Sequence, residues 1–153
     1  MNRWGRDRFH GFSAGSYTKG AVHPIALELL LGMHFPTADL RSKSWDEFTA
    51  PGAPPLDFVF TVCDNAAGEA CPNWPGQPMT ADWGVPDPAA VEGSDEEKWV
   101  AFRETFRLLD YRIKTFTGLP LASLDRIELQ ERLDAIGKAQ PPPSRFWPTL
   151  PPL

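Results

Sequence analysis

The stretch Asp57-Phe58-Val59-Phe60-Thr61-Val62-Cys63-Asp64-Asn65-Ala66-Ala67-Gly68-Glu69-Ala70-Cys71-Pro72, followed by Met79-Thr80-Ala81-Asp82-Trp83-Gly84-Val85-Pro86-Asp87-Pro88, decides the fold. It opens as a β-branched and aromatic run, which reads as a buried strand over 57–63. It breaks at Asp64-Asn65 into a loop rich in glycine and proline. It closes on a second short strand, 79–83, that delivers Asp87 into a proline-flanked turn. Sites in open α/β sheets lie at the carboxyl ends of strands. Cys63 and Asp87 both fall at such ends, and both cysteines of the chain, Cys63 and Cys71, lie in this stretch. A thiol pair and a carboxylate so placed point to redox or nucleophilic chemistry on an anion.

Working outward, Arg8-Phe9-His10-Gly11-Phe12-Ser13 alternates and predicts a third strand near 8–13. Residues 1–7 show no periodicity. Pro24 opens a predicted helix over 24–31, standing where its missing N–H costs nothing, with Gly32 at the C-cap. That helix is apolar almost all round, so cover on more than one face is expected. Ser44-Trp45-Asp46-Glu47 has the form of a capping box ahead of a short helical turn. Pro51 to Pro55 is a linker, and the loop 64–78 is expected to hold a helical turn near 66–70.

Downstream, Ser94-Asp95-Glu96-Glu97 is a second capping-box pattern. Behind it Trp99, Phe102, Phe106, Leu109, Ile113 and Phe116 recur at spacings of three and four, a single core-facing stripe. Gly118 and Pro120 end that helix. A last helix is predicted over 124–136, with Ser123 as N-cap and Gly137 beyond its end. Strands alternating with helices argue for a parallel α/β sheet. The domain is expected over 1–139. A proline-rich, extended tail is expected over 140–153, packing at most through Phe146 and Trp147.

Composition narrows the function. At 153 residues the chain suits one domain with one core. A net charge of −5 excludes nucleic acid or an anionic membrane as a partner recruited by bulk charge. No apolar run approaches membrane-spanning length and no signal peptide is visible, so the cytoplasm is the expected location. There, two cysteines form no constitutive disulfide. Neither C-x-x-C nor finger-spaced histidine is present to favour a metal.

The segment Phe60 to Pro72 resembles the redox loop of thiol-dependent arsenate reductases, members of the low-molecular-weight protein tyrosine phosphatase superfamily. Ser13-Ala14-Gly15 and Arg41 to Phe48 are similar to other pieces of that family, in the same order. The resemblance covers roughly residues 8 to 137. It implies a three-layer fold, a parallel sheet with helices on both faces. It also implies a first strand at the centre of the sheet, leading into a C-x5-R loop whose cysteine is the nucleophile and whose backbone N–H groups hold the oxyanion. This chain contains no C-x5-R: the position six beyond Cys63 is Glu69, and six beyond Cys71 is Gln77. On the resemblance, Met1 falls near the end of the family's first helix. About 20 residues are then lacking, by typical element lengths, and the expectation is a truncated chain or a misplaced start.

The resemblance also assigns roles. Cys63 and Cys71 match the relay cysteines, which pass oxidation outward to a thioredoxin-like protein or a small thiol. Asp87 matches the general acid. No bound cofactor or metal is implied; the substrate is a small oxyanion, arsenate or phosphate. In the phosphotyrosine branch an aromatic follows the Asp-Pro pair. Here Ala89-Ala90 follow, which favours an inorganic oxyanion. Without the nucleophile loop these residues are expected to be inactive alone; the alternatives are a phosphatase-like domain or a non-catalytic binding module. A homodimer that covers the free strand edges is a further expectation. Apart from the resemblance, Ser13 reads as a turn cap, His23 as a cap or core histidine, Arg41 and Lys43 as solvated, and Trp74 and Trp83 as packing residues.

Overall fold

A computed structural model describes residues 1–63 and 72–143. Its centre is a pair of parallel strands, β1 (Phe58–Cys63) and β2 (Met79–Val85). Phe58 stands opposite Met79, Phe60 opposite Ala81 and Thr61 opposite Asp82; beyond a register shift Cys63 stands opposite Val85. Alternation along β2 is clean. Met79, Ala81, Trp83 and Val85 are buried, while Thr80 and Asp82 are exposed, as expected of a strand with one face on a core.

Among the described residues four α-helices accompany the sheet: α1 (Asn2–Gly5), α2 (Pro24–Gly32), α3 (Asp95–Thr117) and α4 (Arg126–Lys138). Phe116 of α3 and Leu129, Leu133 and Ile136 of α4 close over Met79, Ala81 and Trp83. Trp83, Phe116 and Leu133 are essentially sealed from water. Each such side chain contributes about 1.5–3 kcal/mol relative to exposure. Phe60 stacks on Trp83 at 3.8 Å between ring centroids, and Phe116 meets Phe60 edge-on at 5.0 Å. Trp83 also donates Nε1–H to the Leu133 carbonyl at 3.0 Å, so its polar atom is satisfied inside the core. Among the described residues, this layer of α3 and α4 covers the Met79–Val85 face of the sheet.

α3 follows the sequence expectation closely. Ser94 Oγ accepts from the Glu97 N–H while Glu97 reaches back to the Ser94 N–H, a complete capping box, and Gly118 ends the helix. α4 differs. Asp125, not Ser123, is the N-cap, accepting from Ile127 and Glu128, and Glu128 completes the box. Ser123 instead ends a preceding 3-10 turn, Leu121–Ser123. Gly137 lies inside α4, at a point where the helix passes so close to β2 that a Cβ would overlap the Asp82 carbonyl oxygen.

Three further expectations are corrected. Residues 8–13 form no strand: 6–8 are a 3-10 turn, Phe9 is extended, and the ladder is reduced to one bridge, Gly15 with Ser44. Alternation supplies a face but not a pairing partner, and a strand requires both. The sheet therefore has two strands among the described residues. The apolar α2 packs on α3, buries Leu29 and leaves Leu31 exposed, so among the described residues it is covered on one face only. It also takes in Gly32 as its last residue, with Met33 as the C-cap, and the chain turns away at His34, whose φ is 59°. The Ser44 pattern gives a 3-10 turn, Trp45–Phe48, in which Ser44 Oγ accepts from the Asp46 N–H. Glu47 does not close the box because Arg41 holds its carboxylate in a bidentate pair.

Residues 1–8, of which 1–7 are aperiodic in sequence, act as a strap. Arg8 donates to the Thr117 carbonyl at the end of α3 at 2.6 Å. Arg3 donates to the Met33 carbonyl at 3.0 Å and to the His34 carbonyl at the end of α2. Cations at helix C-termini satisfy orphan carbonyls and oppose the negative end of the dipole. Trp4 Nε1–H donates to Asp110 on α3 at 2.7 Å. The expected turn near 66–70 and the tail contacts of Phe146 and Trp147 lie outside the described residues.

Candidate functional site

The parallel sheet brings Cys63 and Asp87 to one edge. Cys63 is the last residue of β1, with its thiol free and exposed. Val85, its register partner, is the last residue of β2, and Asp87 follows two positions later. Asp87 is the exposed N-cap of a 3-10 turn, Pro88–Ala90, where its Oδ1 accepts from the Ala89 N–H at 2.9 Å. Its second oxygen has no hydrogen bond among the described residues. Pro86 and Pro88 hold the backbone on either side, so the carboxylate stands at a defined place beyond the strand. Cys71 lies outside the described residues.

β2 reaches this edge through an irregularity. Two steps along β1, from Thr61 to Cys63, are matched by three along β2, from Asp82 to Val85. The extra residue makes a β-bulge, a device that bends a strand and re-aims the residues beyond it. The Gly84 N–H donates to Asp82 Oδ1 at 2.9 Å, and Thr61 Oγ1 lies 3.4 Å from the same oxygen. On the core side Arg112 of α3, only 2 % exposed, donates Nη1–H to the Trp83 carbonyl at 2.6 Å and to the Gly84 carbonyl at 3.3 Å.

The remaining candidates are spoken for. His23 caps α2, with Nδ1 accepting from the Ile25 N–H at 3.2 Å, and its ring lies on Phe102. Arg41 is bound to Glu47. Hydrogen bonding to that guanidinium holds the Glu47 carboxyl below its usual range and raises Arg41 in turn. Lys43 donates to the Arg41 carbonyl at 3.1 Å. Ser13 sits exposed, two residues ahead of the Gly15–Ser44 bridge. Trp74 packs edge-on against Trp45, and Trp83 is core. A groove of about 290 Å³ between β2 and α4 is lined by Asp82, Gly84, Asp134, Gly137 and Lys138, not by Cys63 or Asp87. Among the described residues no three His, Cys, Asp or Glu side chains gather to hold a metal. No helix of the described residues is long and apolar enough to cross a membrane.

Asp82 and Arg112 escaped the sequence reading. Arg112 did leave a signal. It stands three residues after Leu109 and four before Phe116, a charge on the apolar stripe of α3.

Against this geometry the relatives are informative. The chain is 35% identical over 117 residues to the arsenate reductase of Halalkalibacterium halodurans, spanning 74% of this chain and 81% of the relative. The chain belongs to the arsenate reductase family. The arsenate reductase of Oceanobacillus iheyensis is 30% identical over the same shares. That of Shouchella clausii is 32% identical over 110 residues, 72% of this chain and 76% of the relative. No family model matches the chain. Family membership agrees with the resemblance to arsenate reductases read from the sequence.

Proposed function

We propose that this chain serves arsenate reduction by supplying the thiol relay and the acid of that reaction. The observation that carries the reading is the placement of an exposed Cys63 thiol and the Asp87 carboxylate at the carboxyl ends of neighbouring parallel strands, in an arsenate reductase family member. In this reading Asp87 gives a proton to an oxygen leaving the oxyanion. Cys63 and Cys71 supply the electrons. Two thiols become one disulfide, releasing two protons and two electrons, which is the charge needed to take arsenic from the +5 to the +3 state. A thioredoxin-like dithiol or two small thiols then return the pair to the reduced state by exchange, becoming oxidised themselves. The cytoplasm suits this cycle, since its thiol pool keeps such a pair reduced between turnovers.

The attack on arsenic needs a thiolate in an oxyanion loop, and residues 1–153 hold no C-x5-R. These residues alone are therefore expected not to turn over arsenate. The relay is testable without that step. The chain is treated with a mild thiol oxidant, then with reduced thioredoxin, and alkylatable thiols are counted by mass spectrometry at each stage. Two thiols should fall to none within a single chain and return to two, whereas Cys63→Ser should leave Cys71 alkylatable. Thiols that stay reactive throughout, or pair only between chains, would remove the relay reading. Arsenate-dependent oxidation of thioredoxin by the 153-residue chain would overturn the placement of the nucleophile in a C-x5-R loop.

A further inference from the structure

We infer that Arg112 is a positioning residue, holding the β2 bulge that fixes where the chain carries Asp87 relative to Cys63; this rests on the proposed roles of those two residues. A buried guanidinium is costly unless its donors find partners, so it persists where it satisfies groups that nothing else reaches. Here two of those groups are consecutive carbonyls. In a regular strand successive carbonyls point to opposite sides, along the hydrogen-bonding direction. One nitrogen of Arg112 meets both the Trp83 and the Gly84 carbonyl because the bulge turns them the same way. From the solvent side Asp82 takes the Gly84 N–H. The bulge is thus clamped from both faces, by α3 within and by a neighbouring carboxylate without.

The clamp sets the register at the site. With it, Cys63 stands opposite Val85. In a straight ladder continuing from Thr61 and Asp82, Cys63 would stand opposite Gly84. Asp87 would then be carried one residue, about 3.3 Å, further past the strand end. Arg112 acts through the backbone of Trp83 and Gly84 rather than on Cys63 or Asp87 directly.

The test is amide hydrogen exchange by NMR on the 153-residue chain and on Arg112→Met, Arg112→Lys and Asp82→Ala, with the Cys63–Val85 backbone NOEs as a register marker. In Arg112→Met, Gly84 should exchange about tenfold faster beyond any change at Phe116 and Leu133, which report global opening. The Cys63–Val85 contacts should weaken. Arg112→Lys, which keeps a buried cation with a smaller donor set, should restore part of the protection. Asp82→Ala, on the exposed side, should loosen Gly84 and leave Phe116 and Leu133 unchanged. Equal acceleration at Gly84, Phe116 and Leu133, with the register contacts intact, would mean that Arg112 only stabilises the fold. If Arg112→Met does not fold, unchanged Gly84 protection in both other variants overturns the inference. These readings need no arsenate and no disulfide, so a failed relay assay and a failed clamp are separate results.

Discussion

Gly137→Ala gives the sharpest test of how α4 meets the sheet. On an ordinary helix the change stabilises, by up to about 1 kcal/mol, because glycine is the poorer helix former. Here the added Cβ would overlap the Asp82 carbonyl oxygen and stand 2.9 Å from Trp83 Cδ1. Neither neighbour is free to yield. The Asp82 carbonyl is backbone of β2. Trp83 is 1 % exposed, stacked on Phe60 and tied through Nε1 to Leu133. The helix itself must therefore retreat. A gap of 0.5–1 Å forfeits about a quarter to a half of each dispersion contact it opens. Leu133 and Ile136, both buried on the facing side of α4, lose most by it.

Overpacking of this kind costs about 1–3 kcal/mol. With the propensity gain set against it, the net is a loss of about 1–2 kcal/mol, since that gain is small in a last turn. Urea unfolding followed by tryptophan fluorescence should show the midpoint falling by about 1 M. Ala135→Gly calibrates the propensity scale: Ala135 is exposed in the same turn, and its change should cost at most about 1 kcal/mol. A Gly137→Ala chain as stable as the parent, or more so, would refute the close approach of α4 and β2.

Three other outcomes follow from single contacts. Ser94→Ala removes the cap of α3 and should cost about 1 kcal/mol in urea unfolding, with helix content otherwise kept. Arg8→Met removes the donor to the Thr117 carbonyl and should cost about 1 kcal/mol, with faster amide exchange confined to the last turn of α3 and residues 1–8. Glu47 is held below the usual carboxylate range by Arg41, so its folded form binds its proton less readily than the unfolded chain does. The stabilisation from this pair is present above the ordinary carboxylate pKa and is lost as pH falls through the lowered one. A pH series of unfolding midpoints should therefore fall less steeply on the acid side for Glu47→Gln than for the parent.

How far the sequence could be read depended on whether a feature was local. The cap of α3, its stripe and its glycine stop are all written within one stretch, and the structure follows them. Cys63 and Asp87 were placed by strand ends, another local mark. The strand expected at 8–13 was not local: alternation there described a face, and only a neighbouring ladder could make it a strand. The apolar α2 shows the same limit, since its composition called for cover that the described residues supply on one side only. Asp125 displaced Ser123 as N-cap because its carboxylate reaches two N–H groups and Glu128 returns the bond, a choice between adjacent candidates that spacing alone leaves open.

Polar residues that break a helix pattern were the least legible, and one physical demand accounts for two of them. β2 lies at an edge of the pair, so its outward backbone groups need partners that are not strands. Gln130 of α4 donates to the Thr80 carbonyl at 2.9 Å, and Arg112 of α3 donates to those of Trp83 and Gly84. Gly137 brings α4 against the Asp82 carbonyl in between. Each residue looks anomalous on its own helix: an arginine in an apolar stripe, a glycine before the last residue of a helix. Seen from β2, they line the strand edge in order, from Thr80 to Gly84. The cost of a buried arginine and a glycine within the last turn of a helix is offset along one strand, which is also the strand that carries the chain to Asp87.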